Sequence, residues 1–89
     1  MNFLSRLFGK SEPAAPVAIL HKECRIFPQP VKEGSTFRIA ARVEKDFGGE
    51  TRVHNLVRAD TRTSMDEAVE ASTAKAKQAI DQLGDSLFG

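Results

Sequence analysis

The chain has 89 residues, 28% of them charged, a formal net charge of +1 and a single cysteine. That length supports one small domain, the weak net charge excludes a globally polycationic binder, and a lone Cys24 excludes a disulfide framework within the chain. No apolar run approaches the roughly 20 residues that span a bilayer, and MNFLSRLFGK has neither the apolar stretch nor the cleavage site of a signal peptide, so a cytoplasmic protein is expected.

Taken in chain order, residues 1–18 read as a flexible N-terminal segment and linker, and residues 19–89 as the folded domain. Phe3, Leu4, Leu7 and Phe8 lie close together with Arg6 and Lys10 between them, a pattern for one or two amphipathic turns. Helices this short are marginal in water without a surface to bind, so a frayed or folded-back tail is the plain expectation. SEPAAPVA, residues 11–18, has linker composition.

HKECRIFPQP reads as a first strand, with Cys24 and Ile26 on one face and Arg25 and Phe27 on the other. Pro28 and Pro30 remove two backbone donors of the same parity, which a central strand could not lose, so an edge strand is predicted. KEGS turns into a second strand over residues 36–45. DFGGE closes the next hairpin, and its loop length decides which side chains share a face. A two-residue Gly48-Gly49 loop would turn Arg52, His54 and Arg58 inward beside Val43 and Ile39, at a cost in desolvation. A three-residue Phe47-Gly48-Gly49 loop instead opposes Val43 to Val53, Ile39 to Val57 and Phe37 to Ala59. The second arrangement is therefore the predicted one.

After Asp60 the apolar period changes. Ser64 and Glu67 have the spacing of a capping box, and Met65, Val69, Ser72, Ala76, Ile80, Leu83 and Leu87 recur at helical intervals, with Gly84 as a stop. The predicted class is α+β: a three-stranded antiparallel β-meander packed against one long C-terminal α-helix. Its core should comprise Cys24, Ile26, Phe37, Ile39, Ala41, Val43, Val53, Val57, Val69, Ile80 and Leu83. So thin a core leaves dimerisation through uncovered surface open.

In this register Arg25, Arg38, Arg42, Arg52, His54 and Arg58 share the sheet face opposite the helix, with Phe27 and Leu56 among them. Residues 21–62 carry nine Lys/Arg against six Asp/Glu, whereas residues 63–89 carry two against five. Arg38 would stand directly across from Arg58, a like-charge pair that costs up to about 1 kcal/mol unless an anion lies between them. Those six residues are the candidate nucleic-acid-binding set, with arginines neutralising phosphates. The alternative is a protein-interaction adaptor, dimeric or not, whose same face takes an acidic partner. Exposed arginines also serve simply to protect strands from aggregation.

Other chemistry finds no support. His21-x-x-Cys24 is at most half a metal site, and no second Cys or His pair completes it. Asp66, Glu67 and Glu70 cluster at a helix start, where capping accounts for them. No nucleophile–base pair and no Gly-rich phosphate loop occurs, so neither an enzyme nor a cofactor is expected.

FRIAARVEK, HNLVRADT and MDEAVEASTAKAKQAIDQLGDSLF, with FLSRLFG at the start, together resemble the small bacterial HlyU-type proteins, described as transcriptional activators. The resemblance covers nearly the whole chain and implies DNA-linked regulation. It brings no functional residues with it. A winged-helix regulator shares that name, but one long helix makes no helix-turn-helix here.

Overall fold

The computed structural model describes residues 18–89; the N-terminal segment and linker expected over residues 1–18 lie, but for Ala18, outside the described residues. Five strands form one antiparallel sheet: β1 (Ile19–His21), β2 (Cys24–Pro28), β3 (Val31–Glu33), β4 (Thr36–Phe47) and β5 (Glu50–Arg62). Helix α1 (Met65–Leu83) and a 3₁₀ turn (Gly84–Phe88) follow them among the described residues. The class is α+β as predicted, but the sheet has five strands rather than three.

The extra strands come from dividing what the sequence presents as one. Lys22 and Glu23 both adopt positive φ, 49° and 69°, and make a tight turn that folds Ile19–His21 back onto Cys24–Ile26. Neither residue is one that this conformation favours, which is why the turn leaves no sequence signature. β2 and β3 keep a single register along β4, Pro28 against Ala41 and Val31 against Arg38. Between them the Gln29 N–H donates to the Ala40 carbonyl at 2.9 Å. Pro28 and Pro30 flank Gln29, so their nitrogens point away from β4, beyond the short span that β1 pairs. The prolines do mark an edge, though one confined to that half of the strand.

The hairpin between β4 and β5 corrects the predicted register. Gly48 and Gly49 form a two-residue loop with φ of 59° and 91°, and Phe47 pairs with Glu50, Val43 with His54 and Ala41 with Leu56. Two successive left-handed positions are what a hairpin twisting with its strands requires, and glycine adopts them without a Cβ penalty. The cost assigned to this register assumed that the helix covers β5. It reaches β5 only around Leu56: Arg52 and Arg58 remain exposed and His54 half-buried. Further along, β4 advances from Ala40 to Arg38 while β5 advances from Val57 to Thr61, so Arg58, Ala59 and Asp60 bulge against Ile39 alone.

The helix lies over β2 and β4. Ala68, Ser72, Ala76 and Ile80 form a buried ridge at four-residue spacing, and the small side chains bring the helix axis close to the sheet. The Ser72 hydroxyl, fully buried, accepts the Ala40 N–H at 3.1 Å. The main cluster comprises Cys24, Ile26, Ala41, Val43, Ala76, Ile80 and Leu87. Of the predicted core, Val53, Val57 and Leu83 are exposed, while Phe37 and Val69 are half-buried.

Both helix ends follow their signals. The Ser64 hydroxyl accepts the Glu67 N–H at 3.1 Å, and Gly84, at φ 56°, donates its N–H to the Ile80 carbonyl. The Glu67 carboxylate meets the Thr63 hydroxyl at 3.5 Å, the one departure from a reciprocal capping box. Beyond the stop, the 3₁₀ turn buries Leu87, sets Phe88 edge-on to Phe47 at 5.5 Å and joins Asp85 to Lys45 at 2.6 Å. At the other side of the helix Asp81 holds both His21 and Lys22, at 2.8 and 2.9 Å.

Candidate nucleic-acid interface

The two-residue loop divides the six predicted binding residues between opposite sides of the sheet. Side chains alternate along each strand, and paired residues point the same way. Val43 is buried in the core cluster, so its partner His54 lies on the helix side; Arg52, paired with Lys45, lies there too. Arg58 reaches the same side and lines a cleft with helix residues. Arg25, paired with Glu44, and Arg42, two residues before Glu44, occupy the outer face, and Arg38 lies in line with them. The single shared surface, with Arg38 opposite Arg58, is thus replaced by two rows; the observed partner of Arg38 is Thr61.

The outer row is internally neutralised. Arg38 grips Glu33 through two hydrogen bonds, at 2.6 and 2.9 Å, and donates to the Arg58 carbonyl at 3.2 Å. Arg25 donates to both oxygens of Asp46, at 3.2 and 3.0 Å, and reaches Glu44 at 3.5 Å. Arg42 Nε approaches Glu44 at 2.8 Å without hydrogen-bond alignment, and its guanidinium stacks on the Phe27 ring at 4.5 Å. The carboxylates register this contact: Arg38 holds Glu33 below the usual carboxylate range, and Arg25, then Thr51, do the same to Asp46. Around these pairs stand uncovered apolar side chains, Leu20, Val31, Val53 and Val57, the last 64% exposed.

The helix-side row is different. Among the described residues Arg58, Arg62 and Lys75 form no ion pair, and Arg52 meets Glu50 only at the 4.0 Å limit. Arg52 lies over the Phe47 ring at 5.2 Å. Arg62, paired with Phe37, continues the row beyond the bulge. Glu50 and Asp60 are the acids along this stretch of β5. Between the strand and the helix runs an open cleft of about 190 Å³, lined by Leu56, Arg58, Lys75, Gln78, Ala79 and Gln82. Among the described residues no carboxylate lines it.

Lys75, Gln78 and Gln82 escaped the sequence reading. Their spacing of three and four residues places them on one helical face, beside the small-residue ridge, and that polar stripe without an acid is the signal that could have found them. In the His21-x-x-Cys24 spacing, from which no metal site is expected, Cys24 is buried, with its thiol pKa pushed up chiefly by that burial, and His21 is occupied with Asp81. Among the described residues no His, Cys, Asp or Glu cluster suits a metal ion, and no helix is long and apolar enough to cross a membrane.

Fold and site together define a small two-layer α+β protein that leaves one long cationic strand at its edge. The family model described as transcriptional activator HlyU matches residues 2–88. The chain belongs to that family, and membership supports a regulatory role. No curated protein and no solved structure matches it.

Proposed function

We propose that the protein is a non-enzymatic, cytoplasmic regulator of transcription that contacts nucleic acid with the helix-side row of β5. The observation that carries this reading is the contrast in charge satisfaction: among the described residues Arg52, Arg58, Arg62 and Lys75 are free or nearly so, whereas Arg25, Arg38 and Arg42 are held by carboxylates of their own chain. A cation already paired must give up its partner before it can take a phosphate, and that exchange yields little net energy. A free one releases counterions from the nucleic acid without such a loss. Arg52, His54 and Arg58 therefore remain in the candidate interface, Arg62 and Lys75 join it, and Arg25, Arg38 and Arg42 leave it.

The test is binding of mixed-sequence duplex and single-stranded DNA measured by fluorescence anisotropy across a salt series. Affinity should fall steeply with salt, and Arg52→Ala with Arg58→Ala should flatten the slope by about two phosphate contacts. Arg38→Ala with Arg42→Ala should leave it nearly unchanged. Absence of binding at low salt would sink the proposal.

A second reading, a protein-interaction adaptor, is favoured by the outer face. Its charges cancel locally and its valines are uncovered, which suits a protein surface better than a polyanion. This replaces the acidic partner anticipated for the arginines.

A further inference from the structure

The cleft between β5 and α1 has a chemistry narrower than general attraction for a polyanion. Two of its lining residues, Arg58 and Lys75, are cations that approach no carboxylate among the described residues, and two others, Gln78 and Gln82, carry amide groups that donate hydrogen bonds. Leu56 and Ala79 supply the apolar part of the lining. The volume of about 190 Å³ far exceeds the roughly 10–15 Å³ that one water needs, which leaves room for a tetrahedral oxyanion. Because the cations come from separate elements, an anion between them would bridge strand to helix at a place where small helical side chains already hold the layers close. The guanidinium fork suits two oxygens of one phosphate, the ammonium acts as a point charge on a third, and the glutamines complete the shell.

We propose that this cleft is a discrete phosphate-binding subsite, with Arg58 and Lys75 holding the charge and Gln78 and Gln82 donating to the remaining oxygens. Its phosphate comes either from a nucleic-acid backbone or from a free phosphorylated small molecule. The subsite rests on the nucleic-acid reading only for the first of these sources.

The test follows the side-chain amide signals of Gln78 and Gln82 and the Arg58 Nε–H by NMR in the full-length, ¹⁵N-labelled chain. One arm adds inorganic phosphate; the other adds a short oligodeoxynucleotide lacking terminal phosphates. Saturable shifts of these signals with phosphate are expected, weakened about tenfold or more by Arg58→Ala or Lys75→Ala, as loss of a charge-assisted hydrogen bond implies. Lys32→Ala, an exposed cation across β4 from the cleft, should have no effect. If the oligonucleotide moves the same signals, the backbone is the source. If only phosphate does, the subsite stands with a small phosphorylated ligand, and the nucleic-acid reading of this edge fails when Arg52 and Arg62 are also silent to the oligonucleotide. If the oligonucleotide shifts Arg52 and Arg62 while Gln78 and Gln82 stay silent to both probes, the subsite is overturned and the nucleic-acid reading survives. Shifts that never saturate, or that persist in Arg58→Ala, also overturn it.

Discussion

β4 and β5 are neighbours of almost equal length, 12 and 13 residues, and they pair along most of it, yet their environments are opposite. β4 buries Ile39, Ala40, Ala41 and Val43; β5 buries no residue. The cause is the helix, which sits over β2 and β4 and reaches β5 only around Leu56 and Arg58. The helix-side face of one strand thereby carries the fold, while the same face of the other is free to present Arg52, Arg58 and Arg62. The position of one helix over an asymmetric sheet divides the buried core from the proposed binding edge more sharply than residue composition does.

That division makes its largest claim about stability. Ile39→Ala should lower unfolding free energy by about 2–5 kcal/mol, whereas Val57→Ala, on the exposed strand, should stay within about 0.5 kcal/mol. Urea denaturation of both variants checks this, and equal losses would erase the distinction. Ser72→Ala comes next. It strands the buried Ala40 N–H and should cost about 1–3 kcal/mol, with accelerated hydrogen exchange at that amide as the local signature. Glu23→Gly, by relieving a left-handed backbone at the edge opposite β5, should raise stability by about 0.5–1 kcal/mol, seen as a higher Tm.

The smallest effects are those of pH. The carboxyl of Asp81 is held below its usual range by Lys22 and then His21, as Glu33 is by Arg38 and Asp46 by Arg25. A depressed folded pKa means that the contribution is present above the unfolded value, about 3.9 for Asp, and disappears as pH falls through the lower folded value. The stability difference between the native chain and Asp81→Asn should therefore shrink as pH is taken from neutral to below that value. All three carboxylates are solvated, so the change is expected to be modest.

These contrasts also explain which features could be read from the amino acids. The helix limits, set by Ser64 and Gly84, depend on local chemistry and were legible. So were Cys24, Ile26, Ile39, Ala41, Val43 and Ile80, whose apolar character and spacing agree with their burial. The first hairpin was hidden because Lys22 and Glu23 occupy conformations usually given to Asn and Gly. The outer face expected for Arg25, Arg38 and Arg42 is the one they occupy, whereas Arg52, His54 and Arg58 lie on the side opposite to expectation, for a different reason. The desolvation of Arg52, His54 and Arg58 argues for an odd loop only under a covering helix, and that cost vanishes where the helix leaves these three residues uncovered. A tertiary fact decided a local register, and no window of sequence around Gly48-Gly49 contains it.

The most direct test of the division between the two strands is a backbone NMR titration of the ¹⁵N-labelled chain with mixed-sequence DNA at low salt. Perturbations are expected to cluster at Arg52, His54, Arg58 and Arg62 on β5 and at Lys75 on α1, with Arg25, Arg38 and Arg42 unaffected. Perturbations centred on Arg25, Arg38 and Arg42 instead would contradict the account, because the internally paired row would then be the one that binds.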